Sequence, residues 1–85
     1  MRYEFVLTSK AQRGLKRMSP DIIVKIRRKI KYFLSVADPM VFAKPLINLP
    51  PATHRFRLGK YRIKFFRLKQ IFYVTGIDLR KGVYR

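Results

Sequence analysis

The sequence predicts an α+β domain in which two helices pack on one face of an antiparallel sheet. Its 85 residues are enough for one domain, so residues 1–85 are expected to fold as a single unit. The first half of the chain carries apolar residues at helical spacing, whereas the second half alternates with the period of two that is typical of strands. The change of period near the middle of the chain predicts helices first and most of the sheet afterwards.

One strand and one short helix are expected at the N-terminus. Residues 2–8 alternate, which predicts a strand with three apolar side chains on one side: Tyr3, Phe5 and Leu7. Thr8 or Ser9 can then accept a hydrogen bond from the first turn of a short helix. That helix would place three residues on one face: Ala11, Leu15 and Met18.

A second, longer helix is predicted to begin at Ser19-Pro20-Asp21. This tripeptide supplies a capping hydroxyl, a proline suited to the first turn and an acid at the positive end of the helix dipole. Asp38-Pro39 is expected to end the helix. Five apolar residues recur at core spacing along it: Ile22, Ile26, Ile30, Phe33 and Ala37.

The C-terminal half is expected to form a three-stranded antiparallel meander after an irregular connection. Residues 38–52 contain four prolines, which cannot donate to a strand ladder, so no strand is expected there. The predicted strands cover 54–58, 61–66 and 71–77, and the last of them could extend to Arg80. Gly59-Lys60 and Leu68-Lys69-Gln70 are the expected turns.

The charge of the chain points to a polyanionic or acidic partner. Lys and Arg number 21 against four acidic residues, a formal net charge of +17, yet 48% of the residues are hydrophobic and favour a folded domain. Such an excess destabilises a compact state through self-repulsion unless a partner neutralises it. Nucleic acid is the first candidate and an acidic protein is a second, compatible one. A membrane surface is less suited, because only one short segment could form a one-sided amphipathic helix.

Several other classes of site are not expected. The chain has no cysteine, and one histidine with four scattered acids does not favour a metal site, so neither metal nor cofactor is predicted. The N-terminus lacks the apolar core of a signal peptide, and no stretch is long enough to span a bilayer. A cytoplasmic protein is therefore predicted.

The alternation predicts a cluster of cations on one side of the sheet. Residues 54–58 and 61–66 would share a short hairpin, which makes neighbours of Arg55, Arg57, Arg62 and Lys64. Arg80 can join them if it shares the parity of Gly76 and Asp78. Like charges directly opposite each other are unfavourable, whereas guanidinium groups suit a bound phosphate backbone. The alternative is the solvated face of a very basic protein.

Three further residues near this cluster invite a role. His54 has the side chain of a general base, but its parity with Phe56 and Leu58 favours a structural position toward the helices. Asp78 is the only acid near the cluster and can orient Arg80 or Arg62. Tyr84 can offer a stacking platform for an RNA base.

The segment HRFRLGKYRIKFF, followed by a hairpin and DLRKGVYR, resembles the RelE/ParE toxin superfamily. That superfamily shows a basic strand, a G-x-Y-R-[IL] turn and strand, and a late arginine followed four residues on by tyrosine. Lys44-Pro45-Leu46 is similar to its K-x-L motif, and the order of elements also fits. The matching residues of the longer motif are Gly59, Tyr61, Arg62, Ile63, Arg80 and Tyr84.

The resemblance implies a toxin of a type II toxin–antitoxin system that cleaves mRNA in the ribosomal A site without a metal. Its strand cations correspond to Arg55 and Arg57, its transition-state arginine to Arg62, its leaving-group acid to Arg80 and its stacking aromatic to Tyr84. Four further cations are expected to bind RNA beside this set: Lys60, Lys64, Lys81 and Arg85. The implied partners are the ribosome, mRNA and an acidic antitoxin encoded next to the gene.

One departure from the family separates three hypotheses. RelE has lysines where this chain has Arg55 and Arg57, and an arginine hardly acts as a base, so the general base is unassigned. Arg57 would then only stabilise charge, with Asp78 or the ribosome helping to remove the proton. The alternatives to an mRNA endonuclease are a ParE-like inhibitor of DNA gyrase and an RNA-binding relative without catalysis.

Overall fold

The computed structural model describes residues 2–79 and confirms the α+β class. Two helices and a five-stranded sheet form in this range, with a short 3-10 helix at Pro39–Phe42. The helices are α1 (Ser9–Lys16) and α2 (Pro20–Ser35). The strands are β1 (Glu4–Leu7), β2 (Ala43–Pro45), β3 (His54–Leu58), β4 (Tyr61–Leu68) and β5 (Ile71–Leu79). Neither helix within residues 2–79 is long and apolar enough to cross a membrane.

The sheet has the order β1-β5-β4-β3-β2 and is mixed rather than wholly antiparallel. Strands β3, β4 and β5 form the predicted meander, and β1 joins its far edge by pairing parallel to β5. The prediction that residues 38–52 lack a strand is wrong, because β2 pairs antiparallel with β3. Pro45 is tolerated in β2 because this strand lies at the edge of the sheet.

Both helices begin at the predicted capping residues. Thr8 Oγ1 accepts a hydrogen bond from the Ala11 amide at 3.3 Å, and Ser19 Oγ accepts one from the Ile22 amide at 3.4 Å. The end of α2 differs from the prediction, because the helix stops at Ser35 and Ala37 lies outside it, exposed. The backbone is already extended at Val36, the C-cap of α2, and it is extended again at Asp38 before Pro39, where the Asp38 carboxylate caps the 3-10 helix.

The core lies between the helices and one face of the sheet. At its centre the Phe56 ring is fully buried and stacks on Phe33 at 4.7 Å and on Phe65 at 4.4 Å between centroids. The helix-facing side chains of β3, β4 and β5 meet those of α1 and α2 in one continuous cluster. Its buried members are Ala11, Leu15, Ile26, Phe33, Phe56, Ile63, Phe65, Phe72, Val74 and Ile77.

A β-bulge at Thr75 decides which face of the sheet the end of β5 presents. Lys64 pairs with Gly76 but Phe65 pairs with Val74, so Thr75 is an extra residue in β5. Phe72 and Val74 face the core, and simple alternation would send Asp78 there too. The extra residue reverses the alternation, which puts Asp78 on the outer face opposite Arg62.

Helix α1 flanks the part of β5 that β1 does not cover. The Thr8 amide donates to the Val74 carbonyl at 3.0 Å, after which the chain turns into α1. Gly14 then lies against the edge of β5, where an added Cβ would be 3.6 Å from the Ile77 carbonyl oxygen. This close approach places the exposed side of α1 beside the outer face of the sheet.

Candidate nucleic-acid interface

The outer face of the sheet carries two rows of charged residues that run across the strands. In the first row Lys44, Arg55 and Lys64 are successive partners on β2, β3 and β4. In the second, Arg57 lies opposite Arg62, and Arg62 lies opposite Asp78. We call the five cations Lys44, Arg55, Arg57, Arg62 and Lys64 the cationic face.

Like charges face each other directly on this surface, with Arg55 opposite Lys64 and Arg57 opposite Arg62. Such pairs destabilise an antiparallel ladder. They occur here because the two-residue turn at Gly59-Lys60 fixes the register of β3 and β4. Gly59 has a φ of 58°, which glycine adopts at little cost.

Asp78 is the carboxylate that partly offsets this repulsion. Its Oδ1 accepts a hydrogen bond from Arg62 Nε at 3.2 Å, and its Oδ2 lies 2.9 Å from Lys64 Nζ. The side chains of Arg62 and Lys64 are only 23% and 19% exposed, so their charged ends are held in defined positions. Within residues 2–79, one carboxylate faces the five cations, so the cationic face remains strongly positive.

Gly76 provides the space in which Lys64 lies. The Lys64 side chain crosses over Gly76 to reach Asp78, and a Cβ at Gly76 would meet Lys64 Cε at 3.1 Å and Nζ at 3.4 Å. The absence of a side chain at this position therefore lets the lysine lie flat against β5. The position of the Lys64 ammonium therefore depends on two residues: Asp78 pairs with it, and Gly76 leaves the space for its side chain.

The remaining predicted site residues lie elsewhere. Lys60 sits in the hairpin turn with its Nζ 5.9 Å from the Tyr61 ring, away from the cationic face. His54 lies beside the core, as its parity predicted, with its ring 5.9 Å from that of Phe65 and its Nδ1 2.9 Å from Thr53 Oγ1. Four predicted residues lie outside the described range: Arg80, Lys81, Tyr84 and Arg85.

The sequence-based prediction missed three cations next to this surface, two on α1 and one at its C-cap. Lys10, Arg13 and Arg17 recur at i, i+3 and i+7, which puts them on one side of the helix. With residues of β4 and β5 they line a cavity of about 360 Å³, here called the α1 pocket. Its lining residues are Lys10, Arg13, Gly14, Arg17, Lys64, Gly76, Ile77 and Asp78.

The arrangement suits an extended polyanion better than a metal ion. Arginine and lysine side chains at strand spacing can contact successive phosphate oxygens, and guanidinium groups do so with two parallel hydrogen bonds. Within residues 2–79 no group of three or more histidine or acidic side chains is placed to hold a metal ion. The chemistry available on this face is the stabilisation of negative charge.

Comparison with solved structures assigns the fold. No protein-family model matches the chain, and no curated protein sequence is detectably similar to it. A chain of the RelBE2 toxin–antitoxin complex from Mycobacterium tuberculosis is similar with a TM-score of 0.72 and 22% identity over 94% of this chain and 100% of that one. A chain of the archaeal RelE–RelB complex from Pyrococcus horikoshii is similar with a TM-score of 0.71 and 16% sequence identity. The match covers 98% of this chain and 100% of that one. The protein therefore has the fold of the RelE toxins.

Proposed function

We propose that this protein is the toxin of a type II toxin–antitoxin system and that it cleaves mRNA in the ribosomal A site. The observation that carries the proposal is the row Arg57–Arg62–Asp78, in which two arginines face each other on the outer surface of a RelE-like fold. The two facing arginines repel each other and lower the stability of the sheet. Binding of a phosphate between them would explain why both are present. Residues 1–85 would act as one domain in the cytoplasm, where the ribosome and mRNA are found.

The proposed reaction is an internal transfer of the phosphodiester. The 2′-hydroxyl gives its proton to a base that the ribosome supplies, because both Asp78 oxygens are already engaged by cations. Its oxygen then attacks the adjacent phosphorus, forming a phosphorane with two negative charges. The bond to the 5′-oxygen then breaks, and that oxygen takes up a proton. The products are a 2′,3′-cyclic phosphate and a fragment with a 5′-hydroxyl. Negative charge increases on the phosphoryl oxygens in the transition state, which prepositioned cations stabilise more than they stabilise the substrate.

Arg62 is the residue best placed to stabilise the phosphorane. Its Nε is fixed by Asp78, which leaves the terminal nitrogens of the guanidinium for the phosphate. Arg57, directly opposite, supplies a second guanidinium, and Arg55 and Lys64 extend the positive surface along the strands. Both Asp78 oxygens are engaged by cations, so Asp78 acts by orienting Arg62 and Lys64. By the family resemblance, Arg80 protonates the leaving oxygen and Tyr84 stacks on a base.

The test is cleavage of mRNA on ribosomes programmed with a defined A-site codon. Replacing Arg62 by alanine should lower the cleavage rate about 10²- to 10³-fold, the usual effect of removing one transition-state donor. Arg28→Ala is the matched control, since Arg28 is exposed on α2 and should leave the rate unchanged. Products are identified by the 2′,3′-cyclic phosphate. Intact A-site mRNA at saturating protein would disprove the enzymatic proposal.

The same preparation separates the two alternatives. A ParE-like protein would inhibit supercoiling by DNA gyrase and leave mRNA intact. An RNA-binding relative would bind RNA with strong salt dependence and yield no cyclic phosphate. Running all three assays on one sample makes the outcome independent of expression level.

We also propose an acidic antitoxin as partner. The two structures compared above are toxin–antitoxin complexes, and a formal charge of +17 favours an acidic chain that covers the basic surface. The adjacent reading frame should encode it. Co-purification of that product with this protein, and loss of ribosomal mRNA cleavage when it is added, are the expected results.

A further inference from the structure

The α1 pocket is a second positively charged site beside the cationic face. One wall is formed by α1 with Lys10 and Arg13 and by its C-cap residue Arg17, and the floor is the end of β5 at Gly76. Lys64 and Asp78 line the pocket too, so it meets the cationic face at their ion pair. The α1 pocket and the cationic face are therefore adjacent, and Lys64 belongs to both.

The charge of this pocket is not balanced within the described part of the chain. Among residues 2–79, Asp78 is the only acidic residue that lines the pocket, and its carboxylate is engaged by Arg62 and Lys64. Within residues 2–79, no carboxylate lies within 4.0 Å of a charged nitrogen of Lys10, Arg13 or Arg17. Among residues 2–79, three cations thus line a cavity of about 360 Å³ without a carboxylate paired to them, an arrangement that favours a bound anion.

The geometry of the helix explains why these three cations converge. Gly14 lets α1 approach the edge of β5, and Lys10, Arg13 and Arg17 lie on the same side of the helix as Gly14. Ala11 and Leu15 face the core instead and anchor the helix. The approach of α1 brings side chains from a helix and from two strands around one volume.

We propose that the α1 pocket binds a phosphodiester of single-stranded RNA whose neighbouring nucleotides lie on the cationic face. The inference rests on the proposed function for the identity of the polyanion, but it concerns binding and requires no cleavage. The distance between the two sites supports this proposal. Strands β3 and β5 are two strand spacings apart, roughly 10 Å, so Arg55 and the α1 pocket can contact different phosphates of one RNA molecule. Lys64, between them, would contact the strand at the boundary.

The experiment uses the full chain and a short, fully 2′-O-methylated RNA, which lacks the attacking hydroxyl and cannot be cleaved. The variant Lys10→Gln/Arg13→Gln/Arg17→Gln removes the three α1 cations. The matched control Arg27→Gln/Arg28→Gln/Lys31→Gln removes the same residue types from exposed positions on α2. Glutamine keeps a helix propensity close to that of lysine and arginine, so both variants should fold. Affinity is measured by fluorescence anisotropy at several salt concentrations.

The α1 variant should bind about tenfold more weakly than wild type near ~0.1 M salt. Its salt dependence should be less steep by about 0.7 for each phosphate that the variant no longer neutralises. The control should keep the wild-type slope. Chemical-shift changes at the amides of Gly14 and Gly76 in wild-type protein titrated with the same RNA would support the site independently.

Two results would overturn the inference. Equal weakening by both variants would show that only net charge matters. An α1 variant that binds RNA normally but no longer binds the acidic antitoxin would assign the pocket to the protein partner. Failure of the proposed function is a different result, since wild-type protein would then leave ribosomal mRNA intact while still binding the methylated RNA through this pocket.

Discussion

The two faces of the sheet are built from the same strands, but one face stabilises the domain and the other destabilises it. On β4, Ile63 and Phe65 are fully buried against the helices, while Arg62 and Lys64 alternate with them on the outer face. Burial of the apolar face drives folding, at roughly 25 cal/mol per Å² removed from water. The outer face opposes folding by placing like charges opposite each other.

Because the two faces of the sheet carry different residues, stability and binding should respond to different substitutions in this small domain. Core residues determine whether the sheet forms, and outer residues determine what the sheet can bind. Substitutions on the helix face should lower the free energy of unfolding, whereas those on the outer face should change binding and cleavage with little effect on folding.

The largest effect on stability is expected at Phe56. Its ring is fully buried and contacts four other rings, those of Phe5, Phe33, Phe65 and Phe72. Phe56→Ala should lower the free energy of unfolding by about 3–5 kcal/mol, because a large cavity opens in a thin core. Urea unfolding followed by circular dichroism measures the change.

Phe66→Ala is the matched control on the other face of the same sheet. The Phe66 ring is half-buried and stacks on Tyr73 at 5.1 Å, outside the core cluster. Phe66→Ala should lower the free energy of unfolding by less than half as much as Phe56→Ala. Equal costs for the two substitutions would contradict the division between a structural and a functional face.

Arg57→Gln should have the opposite profile to Phe56→Ala. We expect a cleavage rate on programmed ribosomes about 10- to 100-fold lower, because one of two facing guanidiniums is lost. The free energy of unfolding should stay the same or rise by up to ~0.5 kcal/mol, since the repulsion with Arg62 is removed. A loss of stability above ~1 kcal/mol would instead make Arg57 a structural residue.

Asp78→Asn should separate binding from cleavage. Removing the carboxylate makes the outer face more positive, so RNA should bind more tightly and with a steeper salt dependence. Cleavage should nevertheless slow about tenfold, because Arg62 is no longer fixed by its partner. Stability should fall by only ~0.2–1 kcal/mol, as expected for partly exposed ion pairs.

The measurements for Asp78→Asn are RNA anisotropy and the single-turnover cleavage rate on ribosomes. Asp78→Glu, which keeps the charge but moves it, should restore the wild-type salt dependence while recovering only part of the rate. Tighter binding accompanied by faster cleavage would show that Asp78 merely repels the substrate.

Local sequence rules predicted much of the fold because they act over short distances. The capping hydroxyls of Thr8 and Ser19 and the tight turn at Gly59 are local signals, and each lies where the pattern placed it. The turn and the alternation together predicted that the outward residues of β3 and β4 would be neighbours, and the structure places Arg57 directly opposite Arg62.

Features that depend on distant contacts were not accessible from the pattern. The parallel pairing of β1 with β5 joins the two ends of the described chain, and β2 is too short and too rich in proline to be recognised. The bulge at Thr75 reverses the alternation of β5 without a glycine at the extra position to mark it. The α1 pocket was missed because it depends on how close Gly14 lies to β5.

The smallest effect is expected from Gly76→Ala, which tests how finely the outer face is arranged. The new methyl group would lie 3.1 Å from Lys64 Cε, so the flexible lysine must shift by a few tenths of an ångström from its place over β5. RNA affinity should fall two- to threefold, which corresponds to about 0.4–0.7 kcal/mol. The free energy of unfolding should change by less than ~0.5 kcal/mol, because only the end of a side chain is displaced. The double variant Lys64→Gln/Gly76→Ala decides the cause: if glycine acts by making room for Lys64, the alanine should have no further effect once that lysine is gone.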